Sequence, residues 1–236
     1  AMLDPADCGP AFIGLCQDTQ EIAFDYPEVF FEATLHTIPR PRPDRVNLAS
    51  AVQILKSAKR PLIIAGGGVK YSLAGEFVGN FATQYKIPLC ETISGKGAII
   101  HEHPAYVGGI GVTGSSSANA MAASADVILA IGTRLQDFTT GSWTAFSDDA
   151  KFISINAARW DAVKHRALSV VGDALETIKE LNLALTDWSA PEIWMEKGRK
   201  EMATWNAIID EKQKPTNAIL PSYAQIIKII HDNAND

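Results

Sequence analysis

Apolar residues recur along this chain in two periods, and the switch from one to the other lays out most of the architecture. Leu48, Ala51, Val52 and Leu55 share one face of a 3.6-residue repeat, so a helix is expected from about Arg45 to Ala58. Asp44 stands where its carboxylate can accept the first free backbone N–H groups. Lys59-Arg60-Pro61 closes that helix, and Leu62 to Ala65 is a fully apolar run of strand length ending in Gly66-Gly67-Gly68. Leu73, Phe77, Val78 and Phe81 then give the next helix its apolar face. The unit repeats, with Ile87 to Cys90, Val127 to Ile131, Phe152 to Ile155 and Ser169 to Val171 as strands and Ser117 to Ser124 and Ala174 to Leu185 as helices. Short strands that are apolar throughout are buried on both faces, as in a parallel sheet covered by helices. The expected fold is therefore α/β, a doubly wound, mostly parallel, Rossmann-like sheet from about residue 45 to 186.

The flanks read differently. Ala11 to Leu15 is a short apolar run between Gly9-Pro10 and Gln17-Asp18 and is expected to be a buried strand. Ile38-Pro-Arg-Pro-Arg-Pro43 fixes φ at every second residue and predicts an extended spacer, hence a domain boundary. Trp188, Trp194 and Trp205 sit among charges between Trp188 and Pro215, which predicts a helical connector lying on domain surfaces. Pro221 to Asn233, with Ile226, Ile229 and Ile230 apolar, predicts a further helix.

Composition narrows the function. A chain of 236 residues, 47% hydrophobic and 20% charged, can bury a full core and is not disordered. The formal net charge is −6 with no basic stripe, which argues against nucleic acid as a partner. No apolar run reaches the roughly 18 residues of a membrane span, and the expected location is cytoplasmic. Cys8, Cys16 and Cys90 are odd in number and unspaced for metal, so reduced, mostly packed thiols are expected.

Several short motifs carry candidate chemistry. Gly109-Ile-Gly111-Val-Thr113-Gly114 has the G-x-G-x-x-G form and precedes a helix, so it is either a turn or an anion cradle of backbone N–H groups. A dinucleotide fingerprint would need a strand just before it. His101 to Tyr106 contains a proline and is too polar for a central strand, so an NAD site is disfavoured. Gly132-Thr133-Arg134 follows the strand Val127 to Ile131 and places a guanidinium at its carboxyl end, to grip a phosphate or to pair with Asp126 or Asp137. Asp173 is placed as a helix N-cap. His101 and His103 lack a third ligand for catalytic zinc, and Ser115-Ser116-Ser117 reads as helix entry rather than a nucleophile elbow.

Four stretches, Gly9 to Gln20, Pro61 to Lys70, Glu91 to Gly97 and Gly108 to Trp143, together resemble the thiamine-diphosphate-dependent enzymes, and among them the inositol-catabolic, decyclising acylhydrolases of trihydroxycyclohexanedione. The resemblance covers nearly the whole chain. It implies a central α/β domain at 45–186, preceded by the tail of a pyrimidine-binding domain (1–26) and a Pro-rich linker (27–44). A helical connector (187–217) and the start of a diphosphate-binding domain (218–236) would follow. It also implies a parent enzyme that uses thiamine diphosphate and Mg²⁺ to hydrolyse the bond between the two carbonyl carbons of a cyclic 1,2-dione. Its partners would be the remaining domains of the polypeptide and further copies in a homo-oligomer. The family's cofactor-activating glutamate and its metal ligands lie in the first and third domains, so this chain alone would carry no catalytic residue and show no turnover.

Acetolactate synthase-like and oxalyl-CoA decarboxylase-like relatives hold FAD or ADP in this domain, and by that likeness Gly111, Thr113, Gly114, Gly132, Thr133, Arg134 and Asp173 are the cofactor-binding candidates. Three departures bear on this. Asn156 stands where flavin-dependent relatives often carry an acid, Ala174 replaces the second glycine of the glycine-aspartate-glycine metal motif, and Cys16 replaces a proline.

Overall fold

The α/β pattern is realised over most of its predicted length in the computed structural model, which describes residues 2–234. A single turn, α1 (Gln17–Gln20), precedes α2 (Arg45–Ser57), β1 (Pro61–Ala65), α3 (Gly67–Tyr71), α4 (Gly75–Gln84), β2 (Leu89–Glu91) and β3 (Tyr106–Gly109). Then come α5 (Ser116–Ser124), β4 (Val127–Ile131), α6 (Asp137–Thr140), β5 (Lys151–Asn156), α7 (Arg159–Ala162), β6 (Leu168–Val171), α8 (Ala174–Ala184), α9 (Glu192–Gln213) and α10 (Tyr223–Asn233). The expected caps form: Asp44 accepts from Val46 and Asn47 N–H, Ser115 from Ala118 N–H, and Asp173 from Leu175 and Glu176 N–H.

The strands pair in parallel in the order β3-β2-β1-β4-β5-β6, a doubly wound arrangement whose connections reverse direction between β1 and β4. Side chains alternate across each strand, so one chain builds two cores. Ile63, Leu89, Leu129, Ile131, Ile153 and Ile155 belong to the core that includes residues of α2, α4 and α8. Leu62, Ile64, Cys90, Ile128 and Ala130 belong to the other, with Met121 of α5 and Trp194 of α9. No helix of the described residues is long and apolar enough to cross a membrane.

Four expectations are corrected. Residues 11–15 form no strand: Phe12 is 96% exposed, and without a neighbouring strand the backbone has nothing to pair with. A strand does precede the glycine loop, β3, which sequence polarity had argued against. It begins only at Tyr106, after the polar stretch, and two of its four residues are glycine, so this edge strand is largely buried yet carries too few apolar side chains to mark it. Leu73 has φ +56 and is exposed, which excludes it from the apolar face of α4. Of the three cysteines only Cys90 is buried.

The connector helix is anchored more deeply than its charge content implied. Trp194 is buried, and its Nε1–H donates to the Pro61 carbonyl at 2.7 Å, tying α9 to the start of β1. Trp194→Phe keeps most of the packing but leaves that carbonyl without its donor, and should lower stability by about 1–2 kcal/mol, read from the urea midpoint.

His103 braces the approach to β3. Its Nδ1 accepts from Ala105 N–H at 3.3 Å, and its ring fills a notch where a Cβ on Gly79 would lie 2.9 Å from Nε2. Burial holds its pKa below the usual histidine value of 6.5, with a hydrogen bond to Gly79 opposing. The unfolded chain then binds the extra proton first. The stability this group contributes is fully present above about 6.5 and falls as pH drops from there towards the lower folded value. Urea midpoints at pH 7.5 and 5 should differ less in His103→Asn, which keeps an acceptor for Ala105 N–H but does not titrate.

Candidate functional site

The strand order reverses between β1 and β4, and a crevice lies at their carboxyl ends, the place where open α/β sheets bind ligands. Its volume is about 840 Å³, and its lining includes Gly67, Gly68, Lys70, Thr133, Arg134, Asn156 and Asp173. Arg40 from the proline-rich spacer and Met2 to Ala6 complete the wall.

The crevice floor is glycine for a steric reason. A Cβ on Gly66 would lie 2.4 Å from the Gly132 carbonyl oxygen, and one on Gly132, at φ +59, would lie 2.6 Å from Gly68 Cα. The two loops interlock through backbone: Gly66 N–H donates to Ile131 O, Gly68 N–H to Gly132 O, and Gly132 N–H to Ile155 O. Thr133 Oγ1 accepts from Leu135 N–H.

The polar side chains of the crevice are largely engaged with one another. Asp173, 4% exposed, has both carboxylate oxygens occupied. Oδ1 accepts from Ser72 Oγ at 2.6 Å and from Leu175 and Glu176 N–H, and Oδ2 accepts from Arg40 at 2.9 Å. Asn156 Nδ2 donates to Thr133 O and its Oδ1 accepts from Ala158 N–H, which fastens the loop after β5 to the loop after β4. Lys70 Nζ donates to Lys96 O. Arg134 differs, since it forms no ion pair among the described residues. Asp126 instead accepts from Lys59 and Arg60 N–H, and Asp137 from Ser142 Oγ.

Of the residues singled out from sequence, the structure brings Gly132, Thr133, Arg134 and Asp173 to the crevice. It does not bring Gly111, Thr113 and Gly114 there, because β3 lies at the sheet edge with β2 between it and β1. Four of the N–H groups there are already bonded: Gly111 to Asn119 Oδ1, Val112 to Phe138 O, Gly114 to Gly111 O and Ser115 to Gly109 O. Its geometry is that of a packed turn. Gly111 has φ +116, and a Cβ there would meet Phe138 O at 2.4 Å.

Sequence reasoning missed Arg40 and Ser72, which reach Asp173 from 133 and 101 positions away with no local signal. It also passed over Glu91, which is fully buried. Glu91 accepts from Ile99 N–H at 2.9 Å and Tyr106 O–H at 3.2 Å, with Lys96 Nζ 3.9 Å away, and so staples the loop after β2. Burial, and then the Glu91 charge, push the Tyr106 phenol above its usual range. An acid closing an apolar strand was the available signal.

The crevice does not fit a magnesium-bound diphosphate. No group of three or more His, Cys, Asp or Glu among the described residues could hold a metal ion, and the one carboxylate deep in the crevice has no oxygen to spare.

Residues 48–181 match the family described as "Thiamine pyrophosphate enzyme, central domain". The chain is 43% identical over 185 residues to a Clostridium perfringens protein named 3D-(3,5/4)-trihydroxycyclohexane-1,2-dione hydrolase, a match covering 78% of this chain and 29% of that protein. Similar matches are a Geobacillus thermodenitrificans protein of the same name (43% over 187 residues, 79% and 29%) and a Bacillus cereus protein named as hydrolase 2 (44% over 181 residues, 76% and 28%). The chain spans less than a third of the length of these relatives. With an all-parallel doubly wound sheet occupying the matched segment, the chain belongs to the thiamine pyrophosphate enzyme family, of which residues 48–181 are the central domain.

Proposed function

We propose that this chain supplies the central domain of a thiamine-diphosphate-dependent hydrolase that opens trihydroxycyclohexane-1,2-dione in inositol breakdown. The observation that carries this reading is the 43% identity to a protein named for that reaction, across 78% of the chain. In this reading the cofactor and Mg²⁺ are held outside the α/β unit, because Asp173, the carboxylate buried in the crevice, has both oxygens engaged. The domain limits at 26, 44, 186 and 217 belong to the same proposal. The central domain then works as a spacer, with Arg40 and Arg42 fastening the incoming linker to Asp173, Glu176 and Glu180. Exposed apolar residues, Phe24, Phe30 and Phe31 before the domain and Ile227, Ile229 and Ile230 after it, favour burial against flanking domains and further copies in a homo-oligomer. Three unpaired cysteines suit a reducing, cytoplasmic setting.

The expected result is that this chain alone, given thiamine diphosphate, Mg²⁺ and the dione, opens no ring. Exchanged for the matching segment of the Clostridium perfringens hydrolase, it should keep kcat/KM within about tenfold of that parent. Ring opening by the chain alone would falsify the reading, and so would a folded chimera without dione turnover.

The size and place of the crevice favour a second reading, in which it holds ADP or FAD with Arg134 on the phosphates. Against it, Asn156 and Asp173 have already committed the acceptors a ribose or adenine would use. A yellow protein, or one whose Tm rises with either nucleotide, supports this second reading, and indifference to both rejects it.

A further inference from the structure

At the opposite end of the sheet, the loops entering β5 and β6 enclose a second cleft of about 550 Å³. Its wall is aromatic. Trp143, Phe146 and Phe152 pack against one another with ring centroids 5.6, 5.3 and 5.1 Å apart, and the His165 ring lies 3.7 Å from that of Trp143.

Both loops hold backbone that side chains rarely adopt. Ser142, Trp143, His165 and Arg166 have φ of +54, +68, +60 and +58, half of the eight non-glycine residues with positive φ among those described. Such conformations persist only where the surroundings impose them, and they gather at ligand clamps. Here the two loops meet at the indole of Trp143 and the imidazole of His165. The rim also carries two cations, Lys151 and Arg166, against one acid, Asp148. None of the three forms an ion pair among the described residues.

We propose that this cleft is a binding site for a small planar anion of the aromatic carboxylate class. The ring wall accepts a flat apolar body, and a guanidinium at the mouth pairs with a carboxylate in bidentate fashion. An organic cation would also find the aromatic faces attractive, but Lys151 and Arg166 oppose it. The site shares no residue with the switch-point crevice and stands apart from the reading of that crevice.

Indole-3-acetate titrated into isotope-labelled protein and followed by NMR tests the proposal. The Trp143 indole N–H and the His165 ring signals should shift saturably, with a Kd of about 1 mM or below. The uncharged analogue indole-3-ethanol, and the Lys151→Gln/Arg166→Gln double variant, should each bind at least about tenfold more weakly. If circular dichroism shows the double variant unfolded, Arg166→Gln alone carries the comparison, because that side chain is exposed. Absence of saturation at about 10 mM, equal affinity for the uncharged analogue, or preferential binding of choline overturns the proposal.

Discussion

Gly132→Ala is expected to lower stability by more than about 4 kcal/mol, a large share of the roughly 5–15 kcal/mol a domain of this kind has. Two costs combine. At φ +59 a side chain meets the left-handed penalty of about 1–2 kcal/mol. The new Cβ would also lie 2.6 Å from Gly68 Cα and 2.8 Å from Val69 N, which are backbone atoms that no rotamer change can move. Relief requires the loops after β1 and β4 to part, and the bonds from Gly66 and Gly68 N–H go with them. Gly97→Ala is the control. Its φ is +82 but nothing lies within 4 Å of the added carbon, so only the conformational penalty of about 1–2 kcal/mol applies. Equal losses at the two positions, measured by urea unfolding, would show that loop interlock is not what Gly132 serves.

Asp173→Ala is the second large effect, about 3 kcal/mol. It removes a buried acceptor from Ser72 Oγ and two N–H groups of α8, and deprives Arg40 of its partner. Arg40 is about a third exposed, so water recovers part of its charge and Arg40→Ala should cost only about 1 kcal/mol. Asp173→Asn keeps one acceptor for the helix N-terminus and should fall between the two. Arg40→Ala should also free the spacer, making residues 33–43 more readily cut by thermolysin while the sheet stays protected. If the spacer is cut at the same rate in both proteins, the fastening assigned to Arg40 is wrong.

Much of the fold was legible because the signals are local. Leu48, Ala51, Val52 and Leu55 define one face of α2 whatever lies elsewhere, and Asp44, Ser115 and Asp173 cap the helices they immediately precede. Fully apolar runs marked β1 and β4 to within a residue. Strand β3 escaped because it is four residues long and two of them are glycine, which leaves only Tyr106 and Val107 as apolar signal. Residues 11–15 misled in the opposite direction, since an apolar run is a strand only when another strand stands beside it. The glycines divided in the same way: both loops were candidates for an anion site, but only strand order decides which of them reaches the crevice.

By itself the sequence determined most of the element types between residues 45 and 186, the caps, the parallel α/β class and, through residues 48–181, the family. These follow from periodicities of two to four residues and from side chains acting on backbone one turn away. Only the tertiary structure decided that Gly66, Gly68 and Gly132 meet, that Arg40 reaches Asp173 across 133 positions, and that the rings of Trp143 and His165 touch in the wall of a cleft. Such meetings depend on the order in which strands pair, and that order minimises exposed surface over the whole chain, a quantity no short stretch of residues contains.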